Sequence, residues 1–221
     1  MRMLLLLSAL ALSPNEPASA RIDVNVATRI SVRADSDSAL YAAILTDMAA
    51  AFAQVAKRNG YDRQKGVPGW LETPYLASAS TRPDIPEFFL HRKAYADDLG
   101  THVDTIAMIV VARRLKAAGM DVVRTNEMRQ AFLVGFKKSD AKLRTMLAAM
   151  RRQSIVALRL HQFLVEIDPH VRVNPKDPNK LIFDRPADQR RYLELATAVE
   201  AANEQMEQAA TAIQTTASAQ R

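Results

Sequence analysis

Apolar residues recur at three- and four-residue intervals along four long stretches of the chain, the spacing that lines one face of an α-helix. The first stretch starts near Ser38 and carries Tyr41, Leu45, Met48, Phe52 and Val55, with Gly60 as the expected stop. The second opens at Asp84 and Pro86, a capping acid and a first-turn proline, and ends at Gly119. Its stripe holds Phe88, Tyr95, Leu99, His102, Ile106, Ile109 and Val110, while Met108, Val111 and Leu115 add apolar surface on the far side. The C-terminal half of this helix is therefore expected to be buried on two faces.

The third stretch takes Thr125 as its N-cap and reaches Ile167, where Asp168-Pro169 stops it. Its seam of Phe132, Phe136, Ser139, Leu143, Met146, Met150, Gln153, Ala157, Leu160, Leu164 and Ile167 has heptad spacing with two polar members. Unbroken it would be about 63 Å long, longer than its neighbours, so a bend between Gly135 and Ser139 is expected. The fourth begins at Asp184 and Pro186 and carries Tyr192, Leu195, Val199, Ala202, Met206, Ala209 and Ile213.

Between the third and fourth stretches, Val171 and Val173, a turn through Asn174-Pro175 and the run Leu181-Ile182-Phe183 predict a small β-hairpin over about 170–184. The segment from Tyr61 to Ile85 has no period and reads as a long connection with one helical turn at Thr73-Pro74. Weak alternation over 21–37 reads as an extended N-terminal arm, and 217–221 as a frayed tail. No stripe can stay out of water alone. The expected fold is therefore all-α, an antiparallel bundle of about four long helices over 38–216, with the hairpin before the last helix. Exchange of helices between two chains satisfies the same pattern.

The first twenty residues change the picture of where this bundle works. Arg2, the apolar run Leu4 to Leu12, the breaker Ser13-Pro14 and the small residues Ala18-Ser19-Ala20 have the layout of a secretory signal peptide cut before Arg21. The apolar run is about half the ~20 residues a spanning helix needs. No later stretch reads as apolar enough to span, so the expected location is outside the cytoplasm, with the periplasm first and secretion second. The chain has no cysteine, which removes disulfides and thiolate chemistry. The formal charge of +6 survives processing, because the leader takes away only Arg2 and Glu16. That balance favours anionic partners without naming one.

Candidate chemistry is sparse. Between Arg129 and Arg159 lie Lys137, Lys138, Lys142, Arg144, Arg151 and Arg152 against Asp140 alone. If the last helix folds back, Glu194, Glu200, Glu204 and Glu207 are expected beside Arg144 to Arg159, leaving Lys137, Lys138 and Lys142 as the electrostatic contact site. Trp70, the sole tryptophan, with Tyr61 and Tyr75 nearby, suggests an aromatic tip for a protein partner or a seal on the bundle end. His102 on the apolar stripe, one turn from Asp98, is expected to form a buried polar pair. The acid–histidine spacings lack the two Glu-x-x-His pairs of a di-metal bundle, and Ser154 and His161 stand about 10 Å apart along one face. No metal, cofactor or catalytic group is therefore assigned.

The function this pattern suggests is a non-catalytic envelope protein working by protein–protein contact, as an adaptor, a chaperone-like holder or an inhibitor. Its partner would be another envelope protein or a second copy of the chain. The alternative is a binder of anionic headgroups or envelope polyanions through the basic helix. A bundle enzyme or metal protein is the third class, and nucleic acid is disfavoured because the basic helix lacks interleaved aromatics.

Overall fold

Four long helices and a hairpin follow one another along the chain: α1 (Val32–Arg58), a one-turn α2 (Thr73–Leu76), α3 (Asp84–Ala117), α4 (Val122–Glu166), β1 (Val171–Asn174), β2 (Asp177–Phe183) and α5 (Pro186–Ser218). This is a computed structural model, and it describes residues 32–63, 66–67 and 69–218. The leader expected over 1–20, most of the arm expected over 21–37 and the last three residues lie outside the described residues.

Polar contacts along the seams fix the directions. Arg58 meets Asp98 and Arg114 meets Asp47, so α1 and α3 are antiparallel. Asp104 meets Arg144 and Asp97 meets Arg151, which sets α3 against α4 in the same sense. Gln153 bonds Asn203, and Lys142 reaches the Ala212 carbonyl, so α5 runs back along α4. The result is an up-and-down antiparallel bundle in which the two-stranded hairpin leads into the last helix. Asn174 makes the hairpin turn locally, its Oδ1 accepting the Lys176 N–H at 2.9 Å.

The helices differ greatly in length. At 1.5 Å per residue, α1 with 27 residues covers about 40 Å, whereas α4 with 45 covers about 67 Å. One half of the bundle therefore has α1 as its wall, with Ile44, Met48, Phe52 and Val55 packed on Leu99, Val103, Val111, Leu143 and Met146. In the other half the segment 61–83 stands where α1 has ended. It lays Val67, Trp70, Leu76 and Ala79 over Ile85, Phe89, Leu160 and Leu164.

Several boundaries differ from the sequence expectation. α1 starts at Val32, so residues 32–37 are helical rather than part of an extended arm. Thr125 does not cap α4. Asp121 does, its carboxylate accepting the Arg124 N–H at 2.9 Å one turn earlier. α4 is one helix through Gly135, a continuity that leaves the bend expected between Gly135 and Ser139 untested. Pro83, not Asp84, is the cap residue of α3, and Asp84 bonds the Arg82 guanidinium instead. The most apolar 18 residues within 37–58 have a mean hydropathy of 1.5, and that helix is long and apolar enough to cross a membrane by length and composition, contrary to the reading that no stretch beyond the leader is. Alanines supply much of that hydropathy, and its larger residues Ile44, Met48, Phe52 and Val55 line the core.

Candidate functional site

The connection after α1 turns sharply at Gly60, whose φ of +70° is left-handed. A Cβ there would lie 2.8 Å from the His91 ring, and His91 Nδ1 sits 2.5 Å from the Asn59 carbonyl. Tyr61 then stacks on Tyr95 at 5.1 Å between ring centres and leans on Phe88 at 6.2 Å. A second left-handed glycine, Gly69, reverses the chain so that Trp70 lies edge-on to Phe89 at 4.7 Å. Tyr75 lies beneath the Arg82 guanidinium at 3.7 Å. All three aromatics are half-buried and touch groups of the bundle, so none of them is an outward tip. The crevice under Trp70 and Tyr75, lined also by Leu76, Ile85, His161 and Leu164, has room for about one water. Burial there lowers the His161 pKa, opposed by the nearby Asp84 carboxylate.

The basic stripe of α4 divides between two flanks. Arg144 and Arg151 face α3, where Arg144 takes Asp140 and Asp104 at 2.6 and 2.8 Å and Arg151 takes Asp97 at 2.7 Å. The expected partners on α5 are not the ones used: positions seven apart share the α3 flank, whereas Lys142 and Gln153 lie on the opposite flank against α5. Glu194 instead bonds Arg191 on its own helix. Lys137 is exposed on the Arg144 side of α4, and Lys142 donates to the Ala212 carbonyl at 3.3 Å. The Lys138 side chain is outside the described residues. Lys137 and Lys142 thus do not converge on one site.

His102 and Asp98 do pair, with Nδ1 and Oδ1 2.9 Å apart, but the pair is not buried, since the His102 side chain is 52% exposed. The line Phe88, Tyr95, His102, Ile109 is covered by Tyr61 at its first two members, and its last two are exposed. Asp98 is the hub of a small network. The Arg58 guanidinium, through bonds of 2.5 and 2.6 Å, holds its carboxyl down to about 2, and Asn59 and His102 help against partial burial. A carboxyl lowered in the fold stabilises it above the ordinary value of 3.8, and that contribution fades as pH falls toward 2. Asp98→Asn should therefore cost roughly 1–2 kcal/mol at neutral pH, a cost that shrinks on acidification, measured by urea unfolding across that range.

Two features were not legible as sites in the sequence. Met108 and Ile109, both expected inside, are 61% and 59% exposed side by side on the outer face of α3. Arg92, on the same helix, points to the core side of α3 with its Nε sealed from solvent and without a hydrogen-bond partner. Among the described residues, no group of three His, Asp or Glu side chains is placed to hold a metal ion, and the Ser154 hydroxyl donates to the Met150 carbonyl. Compared with protein-family models, curated proteins and solved structures, the chain matches none, so the functional reading rests on its own residues.

Proposed function

We propose that the chain is an exported, non-catalytic bundle protein that works by contact with another protein of the cell envelope, and that the contact surface is the outer face of α3. The observation that carries this reading is the pair Met108 and Ile109, with exposed Thr105 and Ala112 on the same face. Two large apolar side chains held side by side in water on a rigid helix are surface that a partner can cover with gain, at about 25 cal/mol per Å². Exposed Arg113 and Lys116 rim the strip, which favours a partner surface that is apolar at its centre and acidic at its edge. The leader-like N-terminus supports export.

The test is a photo-crosslinking residue placed at Ile109 in cells, with the same residue at exposed Leu90 as control. The expected result is a discrete adduct from position 109 that disappears when Met108→Glu is added, while circular dichroism and thermal midpoint stay within the small change expected of a surface substitution. Equal adducts from both positions would contradict the reading. A second reading, contact with an anionic surface, is favoured by Lys137, Arg152 and Arg159, all exposed on α4. Binding to anionic vesicles that vanishes in moderate salt would select it.

A further inference from the structure

Arg92 occupies a position where the helix pattern calls for an apolar residue. On α3 it lies between Phe88 and Phe89 on one side and Tyr95, Ala96 and Leu99 on the other, all of them buried. The contacts of Asp97 with Arg151 and of Asp104 with Arg144 place it about level with residue 156 of α4, past the end of α1. This is the waist of the molecule. The core that α1 closes ends there at Tyr95 and Met150, and the core closed by segment 61–83 begins at Phe89 and Ala157. Polar groups collect within about a turn of it: the Gln153 amide donates to Asn203 at 2.6 Å, and Ser154 is fully buried.

A guanidinium has five N–H donors and no means of discarding its charge under ordinary conditions. Here the nearby acids are committed elsewhere. Asp98 is held by Arg58, Asn59 and His102, Asp97 by Lys93 and Arg151, and Glu87 faces His91. Arg92 has the Phe88 ring 5.8 Å from its Cζ, and its Nε has no acceptor. Burial opposes its charge and lowers its pKa. A cation drawn partly out of water with no counter-charge beside it is destabilising, and a leucine or methionine would fill the position without that cost. The side chain is not sealed as a whole, since part of its surface still reaches solvent.

We propose that Arg92 anchors a binding site for an organic carboxylate, which enters at the waist beside the end of α1. The outer nitrogens of the guanidinium take the carboxylate, and the ligand's ring or short chain lies against Tyr61. One guanidinium neutralises one negative charge, so a monoanion suits this surrounding of aromatic rings better than a phosphate dianion. The site faces the core side of α3, opposite Met108, so its failure would leave the contact reading untouched.

The experiment is thermal unfolding of the purified protein in benzoate, in chloride and in inorganic phosphate at matched ionic strength, repeated on Arg92→Met. Benzoate should raise the midpoint of the native sequence saturably, by about 3–5 °C at ten times Kd, and phosphate should not. Arg92→Met should fold, be at least as heat-stable without ligand, and ignore benzoate. No benzoate shift, an equal shift with phosphate, or a shift that survives Arg92→Met overturns the proposal. So does an Arg92→Met chain that fails to fold, because the guanidinium would then have an internal partner.

Discussion

Leu99→Ala is expected to lower the stability of the protein by about 3–4 kcal/mol. Leu99 has no exposed surface and stands where α1, α3 and α4 close on one another, among Phe52, Val55, Val103 and Met146. Helices on three sides limit how far the site can collapse, so a cavity cost adds to the lost transfer energy. Leu90→Ala removes the same atoms from the same helix where the side chain is 56% exposed, and should cost no more than about 0.5 kcal/mol. Urea midpoints of the two variants compare them directly. Equal costs would mean that α3 is turned differently from the description above.

Trp70→Ala is expected to cost about 2–3 kcal/mol and to leave contact through Met108 and Ile109 unchanged in the molecules that remain folded. The indole is held edge-on to Phe89, covers the crevice beside Leu164 and belongs to the wall that replaces α1. Trp70→Phe, which keeps a ring in place, should recover most of the loss. An aromatic anchor facing a partner would behave in the opposite way, with stability barely moved and binding abolished.

Three of the four seams were readable because Tyr41 to Val55, Phe132 to Ile167 and Tyr192 to Ala209 keep helical spacing throughout, and the hairpin because Asn174-Pro175 sits between two short apolar runs. What spacing does not contain is which neighbour covers each position. Phe88, Tyr95, His102 and Ile109 recur every seven residues, yet Tyr61 of the connection reaches round to cover the first two and α1 does not reach the last two. Charge pairing was misread for a related reason. Arg144 and Arg151 belong to the α3 flank and Lys142 to the α5 flank, a distinction that needs the bundle's handedness as well as its order. The N-cap of α4 was misplaced because Thr125 and Asp121 are both good caps, and the N–H of Arg124 is taken by the earlier one. Arg92 was passed over because a single cation among apolar residues reads as a side chain that can reach the surface.

Whether the 61–83 segment is a wall or a tip decides where contact can occur, and the chain's single tryptophan reports on it. Steady-state fluorescence of the folded protein, with acrylamide as quencher, should show blue-shifted Trp70 emission that is poorly quenched and becomes red-shifted and freely quenched in urea. Native emission already at the red, solvent-exposed position and fully open to acrylamide would contradict the account.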